Sequence, residues 1–313
     1  MVKKIFTLSI TIFLISFSCL LAQENQPDTK SILNQTTENS SAEKKTEPSF
    51  EIPEWLRRTN VAIEAGTDMK PKYFMETIQP LFGTQEKETV LFNQARISAK
   101  SNRTIYNLGF GARRIFKESY LLGINTFYDY QDLHQHHRAG VGFEATTDRG
   151  LEGRINTYFG VSTKRLVQED AGGQRFEKVA DGLDWEIGGP VPYLSFLKLY
   201  GGGNWYSFER FRNKYGWQMR MEYNPIKYSR LTFLMLDDNK KKEISYRFEG
   251  AMTLAFTSFH PKDILKDIKA SKEIFPKIDL RDKVLDRVVR DFDITVITST
   301  KTSSGLVVEG GKA

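Results

Sequence analysis

The chain has 313 residues, 40% hydrophobic and 27% charged, with a formal net charge of +6 and a mean hydropathy of -0.44; this length suits one large domain or two ordinary ones. A single cysteine, Cys19, excludes a disulfide scaffold and a thiolate metal site, and charge spread in mixed runs rather than one stripe points away from a nucleic-acid partner. The low mean hydropathy does not exclude a membrane barrel, which hides its apolar surface in alternation and shows no long apolar run.

In chain order, "MVKKIFTLSITIFLISFSCLLAQ" places Lys3 and Lys4 before an apolar stretch from Ile5 to Leu21 and a small residue at Ala22. It reads as a secretory signal over 1–22, cleaved near Ala22 and Gln23, with an uncleaved anchor helix as the alternative. Cys19 lies inside it behind Ser16, Phe17 and Ser18, a poor lipoprotein site, so the mature chain is expected to hold no cysteine. Residues 23–57 are rich in Gln, Asn, Ser, Thr, Lys and Glu. They bury too little apolar area to offset the entropy of ordering and read as a disordered polar leader.

From 58 to 259 the texture changes to apolar alternation with a period of two. Tyr106, Leu108, Phe110 and Ala112 oppose Asn107, Gly109, Gly111 and Arg113; Leu122, Ile124, Thr126 and Tyr128 oppose Gly123, Asn125 and Asp129. Ala139, Val141, Phe143 and Ala145 oppose Gly140, Gly142 and Glu144, and Ile155, Thr157 and Phe159 oppose Arg154, Asn156 and Tyr158. Further on, Leu183, Trp185 and Ile187 face away from Asp184 and Glu186; Trp217, Met219 and Met221 from Gln218, Arg220 and Glu222; Tyr246 and Phe248 from Arg247 and Glu249. With less regular segments near 59–67, 73–82, 89–99, 196–208 and 229–237, the pattern gives about twelve strands of the ~9–11 residues that cross a bilayer at a tilt. An even count suits a closed antiparallel barrel.

A soluble sandwich or lipocalin-like barrel would bury its apolar face inward and give the polar face to water. Two features favour the membrane instead: the opposite faces are rich in glycine and in both signs of charge, as in a wet lumen, and Tyr, Trp and Phe gather at segment ends. Leu122, Ile124, Tyr128, Phe143, Phe159, Trp185, Trp217 and Phe248 are therefore expected to face lipid. Arg113, Glu144, Arg154, Glu186, Arg220, Glu222, Arg247 and Glu249 are expected to face the lumen, where they hydrogen-bond a plug or pair with each other across strands. The connections "GTQEKE", "KES", "TDRG", "PVPYLS" and "NPIKY" are short and share one side; the longest, 162–182, falls on the other, where barrels keep their outer loops.

Pro261, Asp263, Ile264, Leu265 and Ile268 suggest a short amphipathic helix over 260–275. At ~1.5 Å per residue it crosses most of a ~25 Å apolar band if threaded through the lumen, or else it lies against the periplasmic rim. A strand follows within a linker over 260–297, and 298–313 reads as a short flexible tail.

The cluster "YDYQDLHQHHR" sets Asp129, Asp132, His134, His136 and His137 near an outer turn, where Asp/His pairs can activate water or hold a metal. Neither HExxH nor GxSxG spacing occurs, and "GFGARR" lacks the third glycine of a dinucleotide loop. No catalytic, cofactor or metal site is expected, and the cluster reads as a solvated hairpin.

"RTNVAIEAGTD", "NLGFGARRIF", "LLGINTFYDY", "RAGVGFEATTDRG", "LDWEIGGPVPYL", "MRMEYNPIKYSRLTF" and "YRFEG", in this order over 58–259, resemble the β-domain of the inverse autotransporters, the family of intimin and invasin. "LRDKVLDRVVRDFDITVI", 280–297, resembles the segment that follows the barrel there, with Leu285, Asp286, Arg287, Arg290 and Ile294 matching its pattern; an edge strand with charged neighbours is the plain alternative. The resemblance implies a twelve-stranded outer-membrane barrel of type V secretion with both ends periplasmic, whose linker returns through the lumen and delivers a C-terminal passenger to the cell surface. It also implies outer-membrane lipid, periplasmic chaperones and the barrel-assembly machinery as partners, and no cofactor. Beyond Ile297 only "TSTKTSSGLVVEGGKA" stands where the family usually carries immunoglobulin-like and lectin-like domains, so adhesion and any host or cell-surface partner do not carry over. A porin-like or structural barrel and a loop-mediated adhesin are the alternative readings.

Overall fold

The computed structural model of the chain describes residues 53–302 and 307–310, apart from 68, 84–87, 171–172, 210, 227 and 255–269. The expected signal segment and nearly all of the expected leader lie outside the described residues. The last residues assigned to the leader are ordered: α1 (Glu54–Arg57) is one helical turn, and the Trp55 carbonyl accepts hydrogen bonds from Thr59 Oγ1 at 2.9 Å and Gln79 Nε2 at 3.0 Å.

Period-two alternation is satisfied when one face of each strand meets a shared interior and the other faces outward. Twelve strands do this here: β1 (Thr59–Gly66), β2 (Met69–Phe82), β3 (Thr89–Lys100), β4 (Arg103–Phe116), β5 (Tyr120–Gln131), β6 (His136–Thr147), β7 (Glu152–Gly160), β10 (Asp181–Val191), β11 (Leu194–Ser207), β12 (Lys214–Ile226), β13 (Ser229–Asp238) and β14 (Ser245–Thr253). Each pairs antiparallel with the next, and β14 closes onto β1 from Asn60↔Thr253 to Gly66↔Arg247. The result is an all-β closed barrel. Between β7 and β10, β8 (Arg165–Asp170) and β9 (Gly173–Val179) form a separate hairpin.

Both rims carry tight turns, and one long excursion, between β7 and β10, tells them apart. One rim, called lower here, carries the β4–β5 turn, where Lys117 and Glu118 hold φ of 49° and 52°, the paired positive values of a tight type I′ hairpin. The upper rim carries the β8–β9 excursion. Where the sequence suggests a loop over 162–182, the alternation in "RLVQED" and "GQRFEKV" is enough to build paired strands.

Register, in turn, places the lumen charges. Gly123 pairs with both Arg113 and Glu144, and a Cβ at Gly123 would come within 2.5 Å of Glu144 Oε1. Its bare backbone lets Arg113 reach across one strand to Glu144, Nε to Oε1 at 2.7 Å.

The apolar core lies inside the barrel and is built jointly with the chain that follows it. Ile78, Phe92 and Phe127 pack with Val288 and Phe292; Val90, Ile115 and Leu121 pack with Leu280 and Val284. Leu280–Lys283 form a 3-10 turn with Asp279 accepting from the Arg281 amide at 2.9 Å. The chain then runs irregularly until β15 (Val296–Thr302), which pairs antiparallel with β9 from Val296↔Val179 to Thr302↔Gly173. A short β16 (Val307–Gly310) adds to β15, making a four-stranded sheet in the order β16-β15-β9-β8.

Three expectations change. Residues 260–269 of the suggested helix lie outside the described residues, and 270–275 are not helical. Within 280–295 no regular strand forms, because its side chains point to every side of an enclosing lumen rather than to two faces. The tail is not a free end over 298–302: its backbone groups are taken up by β9.

Candidate functional site

The segment 278–295 passes through the lumen from the lower rim to the upper, and its contacts can be followed upward. At the lower rim the Ile278 amide donates to the Asp148 carbonyl at 2.8 Å, and Arg149 Nη1 donates to the Phe275 carbonyl at 2.9 Å. Above this, Arg113, already paired with Glu144, donates from Nη1 to the carbonyls of Val284, at 2.9 Å, and Asp286. Irregular backbone in an enclosed space needs partners for its polar groups, and wall side chains supply them: the Val288 amide donates to Gln94 Oε1 at 2.8 Å, and Asn156 Nδ2 donates to the Val289 carbonyl at 3.2 Å.

The middle of the lumen is held by charge. Asp129, with no exposure at all, accepts from Arg138 Nε, Arg290 Nη2 and Asn107 Nδ2, each at 2.8 Å. Arg138 also donates to the carbonyls of Asp293 and Asp291, at 2.8 and 2.6 Å. The Asp291 amide donates to the Tyr158 hydroxyl oxygen at 2.9 Å, while the Tyr206 hydroxyl donates to Asp291 Oδ2 at 2.7 Å. Phe292 meets Phe127 edge-on at 5.9 Å, and Arg96 lies 4.4 Å from the Phe292 ring centre. Lys72 Nζ reaches both Glu64, at 2.7 Å, and Asp293, at 3.1 Å. Ile294 then packs with Val179 and Val296, where the upper sheet begins.

All five post-barrel motif residues stand in this passage. Leu285 packs against both lower apolar clusters. Asp286 accepts from Lys283 Nζ at 2.9 Å, and Arg287 lies 3.6 Å from both Glu76 and Glu249. Arg290 and Ile294 make the contacts described above. None belongs to an edge strand.

The eight residues expected in the lumen are there, with two kinds of partner. Arg113 and Glu249 touch the threaded segment. The other six take wall partners: Glu144 holds Arg113, Arg154 and Arg220 hold Glu186, both at 2.9 Å, Arg220 holds Glu222 at 2.8 Å, and Arg247 approaches Glu64 at 3.4 Å. The eight expected at lipid, Leu122, Ile124, Tyr128, Phe143, Phe159, Trp185, Trp217 and Phe248, all project from the outer wall, 40 to 63% exposed. A cavity of about 600 Å³ remains beside the threaded segment, lined by Lys198, Tyr200, Arg220, Glu222 and Arg230 among others.

Sequence reading missed Arg138, Gln94, Lys72 and the inward aromatics Phe92 and Phe127. The signal for Arg138 was present, since it shares strand parity with Gly140, Gly142 and Glu144.

The histidine cluster is divided by the fold. Asp129 goes to the lumen, Asp132 accepts from the Leu133 and Thr104 amides, and His137 Nδ1 meets the Tyr128 hydroxyl at 2.9 Å. His134 Nδ1 and His136 Nε2 both meet Glu177 Oε2 at 2.8 Å. Burial of Glu177 acts to raise its carboxyl, but the hydrogen bonds from His136 and His134 outweigh it and hold the group down at about 2.

A closed twelve-stranded antiparallel wall with an apolar outer face and a charged interior defines an outer-membrane β-barrel. The chain belongs to the family described as inverse autotransporter, β-domain, which it matches over residues 16–272. It is 30% identical over 172 residues to an attaching and effacing protein homolog of Escherichia coli strain K12, a match covering 54% of this chain and 55% of that protein. It is 31% identical over 157 residues to the invasin of Yersinia enterocolitica, covering 49% of this chain and 18% of that protein. The chain thus spans little more than half the length of the first relative and less than a fifth of the second. A chain solved in work on the in-meso crystallization of membrane proteins shares the fold, with a TM-score of 0.60 at 18% identity, covering 76% of this chain and 97% of that one.

Proposed function

We infer that this barrel anchors and exports the chain that follows it. The segment 278–295 runs from periplasm to exterior inside the lumen, and the residues from Val296 onward are presented at the cell surface. The observation that carries this reading is the passage itself: wall side chains receive both amides and carbonyls of an irregular segment, which then joins the hairpin at the rim that carries the longest excursion. Barrels of this kind place short turns in the periplasm and long loops outside, so the direction of the passage is outward. A porin-like role is disfavoured by the same filling, and no enzymatic role is proposed.

An epitope tag after Ala313, assayed for antibody labelling in intact cells, tests the reading, with a tag beside Ser40 as the periplasmic control. Labelling of the C-terminal tag alone is expected. Labelling of neither tag until the outer membrane is opened would place both ends in the periplasm and overturn it.

A further inference from the structure

We propose that His134, His136 and Glu177 form a binding site for a borderline-soft divalent transition-metal ion, zinc being the type case, at the upper mouth of the barrel. The three side chains come from two distant parts of the chain. His134 lies in the turn between β5 and β6 and His136 opens β6, whereas Glu177 lies in β9, more than forty positions away. Their ligand atoms, one nitrogen from each imidazole and one carboxylate oxygen, lie within 4.8 Å of one another. Two imidazoles and a carboxylate are a donor set that suits Zn²⁺ and its neighbours rather than Mg²⁺ or Ca²⁺, which take oxygen ligands.

The local geometry favours an ion. Bonds of ~2.0–2.1 Å in a tetrahedral site put ligand atoms roughly 3.3 Å apart, so the 2.8 Å contacts to Glu177 Oε2 need to open by about half an ångström, and the two imidazole nitrogens, within 4.8 Å of each other, settle to the same spacing. His134 and its neighbour Gln135 hold φ of 61° and 51°, a left-handed backbone that non-glycine residues adopt at a cost and that gathers at functional sites. That backbone aims His134 back at Glu177. The His136 side chain is fully enclosed, and His134 is 30% exposed, so an ion and a water ligand would enter from the His134 side. Arg175 Nη2 approaches the other carboxylate oxygen, Oε1, at 3.4 Å; it fixes the orientation of Glu177 while its charge moderates the affinity.

The location gives the site a consequence. Glu177 pairs directly with Thr298 of β15 and with Arg165 of β8, so an ion here ties the upper sheet, including its C-terminal strand, to the β5–β6 turn. This proposal does not depend on whether the chain is exported.

The test is titration of the full chain, folded in detergent and without a histidine tag, with Zn²⁺ by calorimetry and with Co²⁺ by its tetrahedral absorption. One saturable site is expected, unaffected by excess Mg²⁺, weakened at least ~10-fold by Glu177→Gln and by His136→Gln, and unchanged by His137→Gln. Absence of saturable binding by the unsubstituted chain would overturn the proposal whatever the variants do. Undiminished binding by Glu177→Gln and His136→Gln chains that keep the heat-modifiable mobility of a folded barrel would overturn it as well.

Discussion

Arg290→Ala is the substitution that most directly probes how the threaded segment is held. Arg290 lies in that segment rather than in the wall, so its loss leaves every strand pair of the barrel in place. Its guanidinium makes two bonds to Asp129, at 3.2 and 2.8 Å, in a spot where Asp129 is 0% and the Arg290 side chain 2% exposed. Removing one partner of a buried pair costs about 3–5 kcal/mol, because the other charge stays buried and uncompensated. Arg138 and Asn107 still bond Asp129, so the lower end, about 3 kcal/mol, applies. At about 1.4 kcal/mol per decade, the fraction of molecules with the segment undocked rises roughly a hundredfold. Hydrogen exchange reads this at the amides of Val288 and Asp291, whose acceptors are the wall groups Gln94 and Tyr158: both amides are expected to exchange about a hundredfold faster while the amides of β4 and β5 are unaffected. Exchange at Val288 and Asp291 within about threefold of the parent chain would refute the claim that the Asp129 pair holds the segment.

Deleting 278–296 should convert a poorly conducting barrel into a steadily conducting one in planar bilayers, since the residual cavity of about 600 Å³ is enlarged by the volume of the segment; unchanged conductance would show that it does not block the lumen. Ile124→Arg, at a position 47% exposed on the outer wall, is expected to cost about 2–4 kcal/mol if it lies near the bilayer midplane, read as a lowered urea midpoint for folding into lipid vesicles. Gly109→Ala should lose about 1–3 kcal/mol, because its Cβ would come within 2.4 Å of the Phe127 ring, whereas Gly153→Ala, with nothing within 4 Å, should be near neutral in the same assay. Equal effects of the two would mean that Phe127 does not pack over Gly109.

How far the sequence could be read follows from where each residue finds its partner. Strand positions and faces were legible because alternation is a local signal: Ile124 and Asp129 lie two and a half periods apart and fall on opposite faces in sequence and structure alike. Phe127 was not, since an aromatic on a polar face makes sense only beside Phe292, which lies far along the chain. The same holds for 280–295. A segment surrounded on all sides has no buried face and no exposed one, so it carries no period, and an edge strand was the nearest regular reading. The histidine cluster shows a third limit. His134 and His136 were visible as candidates, but Glu177 lies in an apparently ordinary charged connection, and only the β8–β9 hairpin brings it to them.

The pairing of β15 with β9 gives the outer end of the passage a chemical sink. If the chain is exported as proposed, the seven registered pairs from Val296↔Val179 to Thr302↔Gly173 form only after it has emerged, and they must be undone before it can slip back. On the proposed reading this hairpin rectifies thermal sliding: random motion in the lumen is biased outward, because the template waits at only one mouth of the barrel. With β16 already added beyond β15, that template grows as it is used, and retreat becomes slower with each strand laid down.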